Sequence, residues 1–220
     1  MLQKIQAIGH LALLPVVQIE HARDAINLGR ALLEGGLPCA EITFRTAAAE
    51  EAIQSIAASL PEIILGAGTV LTTTQAEAAV SAGAQFIVSP GFNPKVVDWC
   101  LERGVFVIPG VATPTEIEMG LDKGLTILKF FPAQAMGGVE MLKAIAGPYA
   151  GVKFIPTGGI SALNLADYLS LPVVFACGGS WFVKPNLISA GKFDEITRLT
   201  KEAISIVRQC RVLEESHEYK

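Results

Sequence analysis

The sequence predicts a single α/β domain, a (β/α)8 TIM barrel with an N-terminal helix. Three observations lead to this fold class. A unit of apolar strand, turn and amphipathic helix recurs roughly every 20 to 27 residues, a period typical of repeated supersecondary structure. The 220 residues are 51% hydrophobic and 17% charged, and their mean hydropathy is +0.46. Such a composition favours parallel strands that helices cover on both faces. We expect the domain to comprise residues 1–210, followed by a polar tail at 211–220.

Eight segments are predicted as strands because they are short, mostly apolar and rich in Val, Ile and Phe. They comprise residues 13–17, 39–44, 63–66, 86–89, 105–109, 126–130, 154–157 and 173–177. A doubly wound open sheet is the alternative, since the number of strands alone does not prove closure. It is disfavoured because no G-x-G-x-x-G follows the first strand, where a dinucleotide-binding sheet would carry it.

Capping residues and glycines mark the predicted helices between these strands. Thr113-Pro114-Thr115-Glu116 has the pattern of a capping box, and Asn93-Pro94 and Ser161 also open predicted helices. Five glycines are placed where a helix would end in a left-handed residue. They are Gly35, Gly83, Gly104, Gly124 and Gly147. Each helix therefore has a beginning or an end that the sequence indicates.

Charge and hydropathy argue against two classes of partner. The 17 basic and 21 acidic residues give a net charge of −4 without a basic block, so we expect no nucleic-acid partner. The apolar run at residues 11–17 is too short to span a bilayer, and Pro15 interrupts it. Only Lys4 precedes this run, which disfavours a secretory signal. We therefore predict a cytoplasmic protein with no membrane partner.

The cysteines and histidines predict neither a disulfide framework nor a metal site. The four cysteines are widely separated and contain no C-x-x-C pair, which is typical of reduced, buried side chains. They are Cys39, Cys100, Cys177 and Cys210. His10, His21 and His217 show no metal-ligand spacing. We therefore expect no metal-dependent mechanism.

Lys129 is a charged residue in an otherwise apolar predicted strand. Period-two alternation places Ile127, Lys129 and Phe131 on one face, and Leu128 and Phe130 on the other. If the second face contacts the helices, the lysine points into the barrel near the carboxyl end of its strand, where barrels carry their active sites. Removal from water favours the neutral form of an amine, which can attack a carbonyl. A salt-bridged or snorkelling lysine is the structural alternative.

Lys153 is the competing candidate for a reactive amine. It stands at the beginning of the next predicted strand, at the end of the barrel associated with stability rather than with chemistry. Two further charged residues lie on one face of the second predicted strand, Glu41 and Arg45. Glu41 can accept a proton from a substrate hydroxyl, and Arg45 can bind a carboxylate through two parallel hydrogen bonds. A structural ion pair between them is the alternative.

Paired glycines follow the last two predicted strands. The seventh ends in Thr157-Gly158-Gly159, and the eighth is followed by Gly178-Gly179-Ser180. Glycines let backbone N–H groups approach an anion, and many barrels bind phosphate in the loops after strands seven and eight. A helix N-terminus beginning at Ser161 would add a favourable dipole. The two turns together predict a phosphate site.

Taken together, five stretches of the chain resemble a known family, the 2-keto-3-deoxy-6-phosphogluconate (KDPG) aldolases, which also act on 4-hydroxy-2-oxoglutarate (KHG). The stretches are Glu41-Ile42-Thr43-Phe44-Arg45-Thr46, Gly66-Ala67-Gly68-Thr69-Val70, Lys129-Phe130-Phe131-Pro132-Ala133, Pro156-Thr157-Gly158-Gly159-Ile160 and Gly178-Gly179-Ser180-Trp181. They occur in the family's order and span nearly the whole chain, except for its last residues. Each stretch alone is weakly diagnostic, whereas the set is highly specific.

The resemblance implies a carbon–carbon lyase that forms a Schiff base with pyruvate in the Entner–Doudoroff pathway. Lys129 would be the Schiff-base residue and Glu41 the general acid/base. Arg45 and Thr69 would bind the pyruvyl carboxylate, and Phe131 would pack against the substrate.

At the distal end of the substrate, the resemblance implies that the glycine turns bind phosphate. The residues concerned are Thr157, Gly158, Gly159, Gly179 and Ser180. The family is bacterial, cytoplasmic, trimeric and free of cofactors, so a homotrimer is expected. Two other functions remain open at this stage, namely a phosphosugar isomerase or epimerase on the same barrel, and a non-catalytic protein that binds a phosphorylated sugar acid.

Overall fold

Parallel strand pairing runs around a complete ring. The computed structural model describes residues 2–218, with side chains from residue 3 to residue 210. The strand segments in this range are β1 (Leu13–Val17), β2 (Cys39–Thr43), β3 (Ile64–Gly68), β4 (Phe86–Val88), β5 (Phe106–Ile108), β6 (Gly110–Val111), β7 (Ile127–Phe130), β8 (Lys153–Pro156) and β9 (Cys177–Gly179). β5 and β6 are two parts of one barrel strand, separated by Pro109, so the nine segments occupy eight strand positions.

The hydrogen bonds between strands close the barrel. One sheet has the order β5-β4-β3-β2-β1-β9, and a second has the order β6-β7-β8. The carbonyl of Pro109 accepts a hydrogen bond from the Lys129 N–H at 2.9 Å, which joins the fifth strand position to β7. The parallel bridge between Thr157 and Gly178 joins β8 to β9. The predicted (β/α)8 barrel is therefore confirmed.

Helices surround this ring. In chain order they are α1 (Leu2–Leu11), α2 (Ala25–Glu34), α3 (Ala49–Ser59), α4 (Thr73–Ser81), α5 (Pro94–Glu102), α6 (Pro114–Asp122), α7 (Gly138–Ala146), α8 (Leu165–Leu169), α9 (Pro185–Ser189) and α10 (Phe193–Glu218). The predicted N-terminal helix is α1. Over residues 2–218, none of these helices combines the length and the apolar character that a membrane crossing requires.

The last helix contains most of the predicted tail. α10 runs without interruption to Glu218, although the side chains of residues 211–220 lie outside the described part of the chain. Its first half packs on α2, where the Thr197 hydroxyl donates to the Ala31 carbonyl at 3.1 Å. The boundary of the domain at residue 210 therefore stays a prediction.

Two of the three predicted helix starts are confirmed. Thr113 and Glu116 form the complete capping box of α6, and the side chain of Asn93 accepts from the Lys95 N–H at the start of α5. The start at Ser161 is wrong, because α8 begins four residues later at Leu165. The Ser161 hydroxyl does accept from the Leu163 N–H at 3.3 Å, but it caps only a turn before the helix.

The eighth predicted strand and two predicted helix ends also need correction. β9 starts at Cys177, because residues 173–176 pair with β8 only at one isolated bridge, between Phe154 and Val174. Gly35 and Gly147 are right-handed, with φ of −73° and −50°, since other residues reverse the chain there. Gly36 takes the left-handed conformation after α2, and Gly151 does so before β8. Gly83, Gly104 and Gly124 have positive φ as predicted.

Candidate active site

Lys129 lies inside the barrel, as the alternation of its strand predicts. Its neighbour Leu128 faces outward, close to Gly120 of α6, so Lys129 takes the opposite face of β7. The side chain is 5% exposed, and its Nζ lies 3.2 Å from Oε1 of Glu41. Nζ also lies 5.4 Å from the centre of the Phe131 ring, close enough for a cation–π contact. The structure therefore brings together three of the predicted residues.

Lys153 occupies the opposite end of the barrel. It is the first residue of β8 and pairs in register with Ile127, whereas Lys129 pairs with Ile155. Its side chain is exposed, and Nζ donates to the Pro172 carbonyl at 2.6 Å. This lysine fastens a turn at the amino ends of the strands, as its predicted position indicates.

Glu41 projects into the barrel because two glycines on the neighbouring strand leave room for it. A Cβ atom on Gly68 would lie 2.6 Å from Cγ of Glu41 and closer still to Oε1. One layer deeper, a Cβ on Gly66 would overlap the ring of Phe86. Both glycines take the inner face of β3, since they alternate with outward-facing residues. The two missing side chains therefore create the space that the carboxylate and the aromatic ring fill.

This pair of glycines was not recognised in the sequence as a feature of the barrel interior. The stretch Gly66-Ala67-Gly68 served there only as one of the five stretches that carry the family resemblance. Its period of two, which begins at the last residue of the predicted strand 63–66, is the signal that could have revealed the interior space, because side chains on one face of a strand recur with that period.

The Glu41–Lys129 contact is a buried ion pair. Glu41 is 1% exposed, and in the described part of the chain the carboxylate and the amine are each other's sole hydrogen-bond partners. The free-energy cost of removing two charges from water is offset by their attraction only while both are present. Each charged group therefore depends on the other for its stability in the interior. The contact also permits a proton to pass from Nζ to Oε1, which would leave a neutral amine beside a carboxylic acid.

Arg45 and Thr69 follow neighbouring strands at the rim of the barrel. The ends of β2 and β3 are joined by a hydrogen bond from the Phe44 N–H to the Gly68 carbonyl at 2.8 Å. Beyond it, the Arg45 side chain is exposed and makes no hydrogen bond or ion pair with residues 3–210. Thr69 is half-buried and has a φ of +55°, which is uncommon for a β-branched residue and strained. Strain of this kind is typical of functional sites.

The turn after β8 exposes a row of backbone N–H groups. Gly158 and Gly159 have φ of +95° and +79°. The Thr157 carbonyl accepts from the Ala133 N–H at 2.8 Å, and the Gly158 carbonyl accepts from the Gln134 N–H at 3.0 Å. In a trans peptide, the N–H of the following residue points away from the carbonyl oxygen. The N–H groups of Gly158 and Gly159 therefore face away from the Ala133 and Gln134 donors. Within the described chain, the N–H groups of residues 158–160 have no protein acceptor, and such a row can bind an anion.

The turn after β9 lies beside this row. The bridge between Thr157 and Gly178 places the two turns on adjacent strands, and a Cβ on Gly178 would overlap the buried Thr157 side chain. The ring of Trp181 covers Gly179. A Cβ atom added to Gly179 would lie 2.6 Å from Cε3 of that ring. The next residue, Ser180, is exposed. The structure therefore brings the two glycine turns together, and the close packing explains why both contain glycine.

The buried cysteines are poor nucleophiles. Cys39, Cys100 and Cys177 are buried, and none of the four cysteines forms a disulfide within residues 3–210. Burial raises the pKa of Cys100 to about 11, although the nearby Arg103 opposes the shift, and burial raises the pKa of Cys39 and Cys177 further. These thiols stay protonated at neutral pH, so they behave as the small hydrophobic side chains that were predicted.

Known proteins are similar to this chain in sequence. Residues 5–199 match the family described as KDPG and KHG aldolase. A 2-dehydro-3-deoxy-phosphogluconate aldolase from Treponema pallidum (strain Nichols) is 50% identical over 207 residues, which cover 94% of this chain and 99% of that protein. A KHG/KDPG aldolase from Escherichia coli (strain K12) is 45% identical over 190 residues, which cover 86% of this chain and 89% of that protein.

A solved structure extends the comparison to three dimensions. It is a KDPG aldolase from Legionella pneumophila, with pyruvate captured at low pH as a covalent carbinolamine intermediate. It is 40% identical to this chain with a TM-score of 0.86, and the match covers 90% of this chain and 96% of that one.

Proposed function

We propose that this chain, which belongs to the KDPG and KHG aldolase family, releases pyruvate from its substrate through an imine on Lys129. It is a class I aldolase, a carbon–carbon lyase that works through a Schiff base. The single observation that carries the assignment of residues is the buried contact of 3.2 Å between Lys129 and Glu41 at the carboxyl ends of the strands. An isomerase or epimerase would need the carboxylate but not an amine that can become neutral.

The reaction begins when the proton of Lys129 passes to Glu41. The neutral amine attacks the C2 ketone of the substrate to give a carbinolamine. Glu41 then donates its proton to the C2 hydroxyl, which leaves as water, so that a protonated imine and the Glu41 carboxylate result. Glu41 then accepts the proton of the C4 hydroxyl by way of a water molecule, the C3–C4 bond breaks, and its electron pair is taken up by the imine as an enamine. The aldehyde leaves, C3 of the enamine is protonated, and hydrolysis of the imine releases pyruvate and the amine.

Arg45, Thr69 and Phe131 bind the pyruvyl part of the substrate in this proposal. The free guanidinium of Arg45 can form two parallel hydrogen bonds with the C1 carboxylate, and the Thr69 hydroxyl can donate a third. The Phe131 ring is half-buried beside Nζ, so it can pack against the substrate while water is excluded from the imine.

The two glycine turns bind the distal phosphate. The N–H groups of residues 158–160, which have no acceptor among the described residues, supply donors to the phosphate oxygens. Thr157 and Gly179 shape the floor of the site. The exposed Ser180 hydroxyl supplies another donor. We assign no part of the binding to a helix dipole, because α8 has five residues and begins after the turn. With KDPG the aldehyde product is glyceraldehyde 3-phosphate, and with KHG it is glyoxylate.

The family resemblance also supports two broader proposals, a homotrimer and a location in the cytoplasm. Sedimentation velocity of the full chain tests the first and should give a single species with three times the mass of the chain. A monomer at micromolar concentration would contradict it.

Initial rates of pyruvate formation test the proposed function. We expect both KDPG and KHG to be cleaved, with a higher kcat/KM for KDPG because the turn after β8 offers donors that KHG cannot use. Cleavage should depend on Lys129, so Lys129→Met should be inactive with both substrates. Unchanged cleavage by Lys129→Met would overturn the assignment of the lysine, and a failure of the wild-type chain to cleave either substrate would overturn the function.

A further inference from the structure

A polar network behind the turn after β8 holds that turn in place. Asn164 binds both ends of residues 159–161. Its Nδ2 donates to the Gly159 carbonyl at 3.0 Å, and its Oδ1 accepts from the Ser161 N–H at 2.8 Å. With the Thr157 and Gly158 carbonyls already bound by the loop after β7, three successive carbonyls are occupied on one side. The peptide geometry then fixes the three following N–H groups on the other side.

Gln134 connects this network to the strand that carries Lys129. It follows β7 by four residues, and its Oε1 accepts from the Tyr168 hydroxyl at 3.0 Å and from Asn164 Nδ2 at 3.4 Å. Its backbone N–H donates to the Gly158 carbonyl, and its Cγ would lie 3.1 Å from a Cβ on Gly159. The same residue therefore contacts the glycine turn through its backbone and through its side chain.

Tyr168 gives the network a rigid support. Tyr168 is a residue of α8, and its side chain is fully buried, so the hydroxyl has a fixed position. Gly138 leaves room for the contact, since an added Cβ would lie 3.3 Å from Gln134 Oε1 and 3.4 Å from the Tyr168 hydroxyl. Tyr168, Gln134 and Asn164 thus form one connected path of hydrogen bonds from the core to the turn.

We propose that Asn164 and Gln134 are positioning residues that hold the N–H groups of residues 158–160 at a fixed place relative to Lys129, and that they thereby set the preference for a phosphorylated substrate. This inference rests on the proposed function. Neither side chain needs to touch the reacting atoms. The two side chains keep the phosphate donors ordered before the substrate binds, which lowers the entropic cost of binding.

Asn164→Asp is the sharpest test, because it keeps the acceptor for Ser161 and removes the donor to Gly159. The new carboxylate also faces the Gly159 carbonyl and Gln134 Oε1, so the turn should lose its fixed orientation. We expect the KM for KDPG and the inhibition constant of inorganic phosphate each to rise about tenfold, the scale of one lost hydrogen bond in a binding site. Asn27→Asp, which makes the same charge change on the exposed surface of α2, is the matched control and should alter neither value.

Two measurements separate this role from a general loss of structure. Exchange of the methyl protons of pyruvate in deuterium oxide needs the imine but no phosphate, so its rate should stay within about twofold of the wild-type rate in Asn164→Asp. The kcat/KM for KHG should also be retained. Gln134→Met and Tyr168→Phe should give smaller rises in the KM for KDPG, in that order, because each removes a more distant part of the path.

The outcomes decide between the inference and its premise. Equal losses with KDPG, KHG and pyruvate exchange would show a structural role and overturn the inference. An unchanged phosphate inhibition constant in all three variants would do the same. No pyruvate exchange by the wild-type chain would instead overturn the proposed function.

Discussion

Two lysines on neighbouring strands show how position decides chemistry in this barrel. Lys129 and Lys153 are separated by two positions in the register of β7 and β8. Lys153 is exposed to water and donates to a backbone carbonyl. Lys129 is 4% exposed and has a carboxylate as its sole hydrogen-bond partner among the described residues. A reactive amine therefore requires a site that is shielded from water and a nearby proton acceptor. In this barrel, the carboxyl ends of the strands supply both to Lys129, and the amino ends supply neither to Lys153.

The glycines show the same contrast between the two ends. Gly68 and Gly178 have ordinary backbone angles and leave space for the side chains of Glu41 and Thr157. At the other end, Gly83, Gly104 and Gly124 have positive φ and serve to turn the chain between a helix and a strand. Gly68 and Gly178 therefore matter for the volume they leave. Gly158 and Gly159 in the turn after β8 matter for their backbone conformation, as the three glycines at the base do.

Removal of each lysine should give the largest difference between the two ends. Lys129→Met should lower kcat for KDPG cleavage by roughly 10⁵-fold or more, the scale of losing a covalent nucleophile. It should also lower the free energy of unfolding by about 3 kcal/mol, because Glu41 is left buried without a partner. Lys153→Met is the control and should keep full activity. Steady-state kinetics and urea unfolding measure the two effects.

Recovery in a double variant would sharpen this result. Adding Glu41→Gln to Lys129→Met removes the unpaired charge, so most of the lost stability should return while activity stays absent. If Lys129→Met and Lys153→Met destabilise the chain equally, the buried ion pair is not the cause.

Gly68→Ala should separate Glu41 from the lysine. The added methyl group would occupy the space of the carboxylate, so we expect kcat to fall by about 10²-fold or more, the range in which general acid–base catalysis contributes. Lys129 remains, and the variant should still be labelled by pyruvate and borohydride. Gly147→Ala is the control, since φ there is −50° and the nearest atom to an added Cβ lies at 3.5 Å. Equal kcat values in the two variants would contradict the packing account.

Arg45→Ala should weaken binding rather than chemistry. We expect the KM for pyruvate in the condensation direction to rise about 10- to 100-fold, because a bidentate bond to a carboxylate is lost. The KM of Arg45→Lys should lie between those of the wild type and Arg45→Ala, since an ammonium lacks the planar pair of donors that a guanidinium offers. Arg208→Ala removes an exposed arginine of α10 and serves as the control. An unchanged KM in Arg45→Ala would remove this residue from the carboxylate site.

Thr69→Gly should have the smallest effect, and it should affect stability and binding in opposite directions. Glycine adopts a φ of +55° without strain, so the free energy of unfolding should be unchanged or higher by about 1 kcal/mol. The KM for pyruvate should rise about threefold through loss of the hydroxyl. Thr69→Ser keeps that hydroxyl and should keep the KM. A KM raised equally in both variants would contradict the role of the hydroxyl.

Much of this arrangement could be predicted from the sequence because it follows from periodicity. Alternation along one strand places Lys129 inside, and the order of strands and helices gives the barrel and its mouth. Three other features depend on packing between distant segments. The network at Gln134 and the start of β9 each arise from contacts that no local pattern records. The space beside Glu41 depends on packing too, although the alternating Gly66 and Gly68 are a local signal of it. The start of α8 was mistaken because Ser161 caps a turn as readily as it caps a helix.

Reductive trapping tests the central claim most directly. The full chain is incubated with pyruvate and borohydride, digested, and the modified lysine is located by mass spectrometry. The account predicts a stable pyruvyl adduct on Lys129 and an unmodified Lys153. An adduct on Lys153, or equal trapping by Lys129→Met, would contradict it.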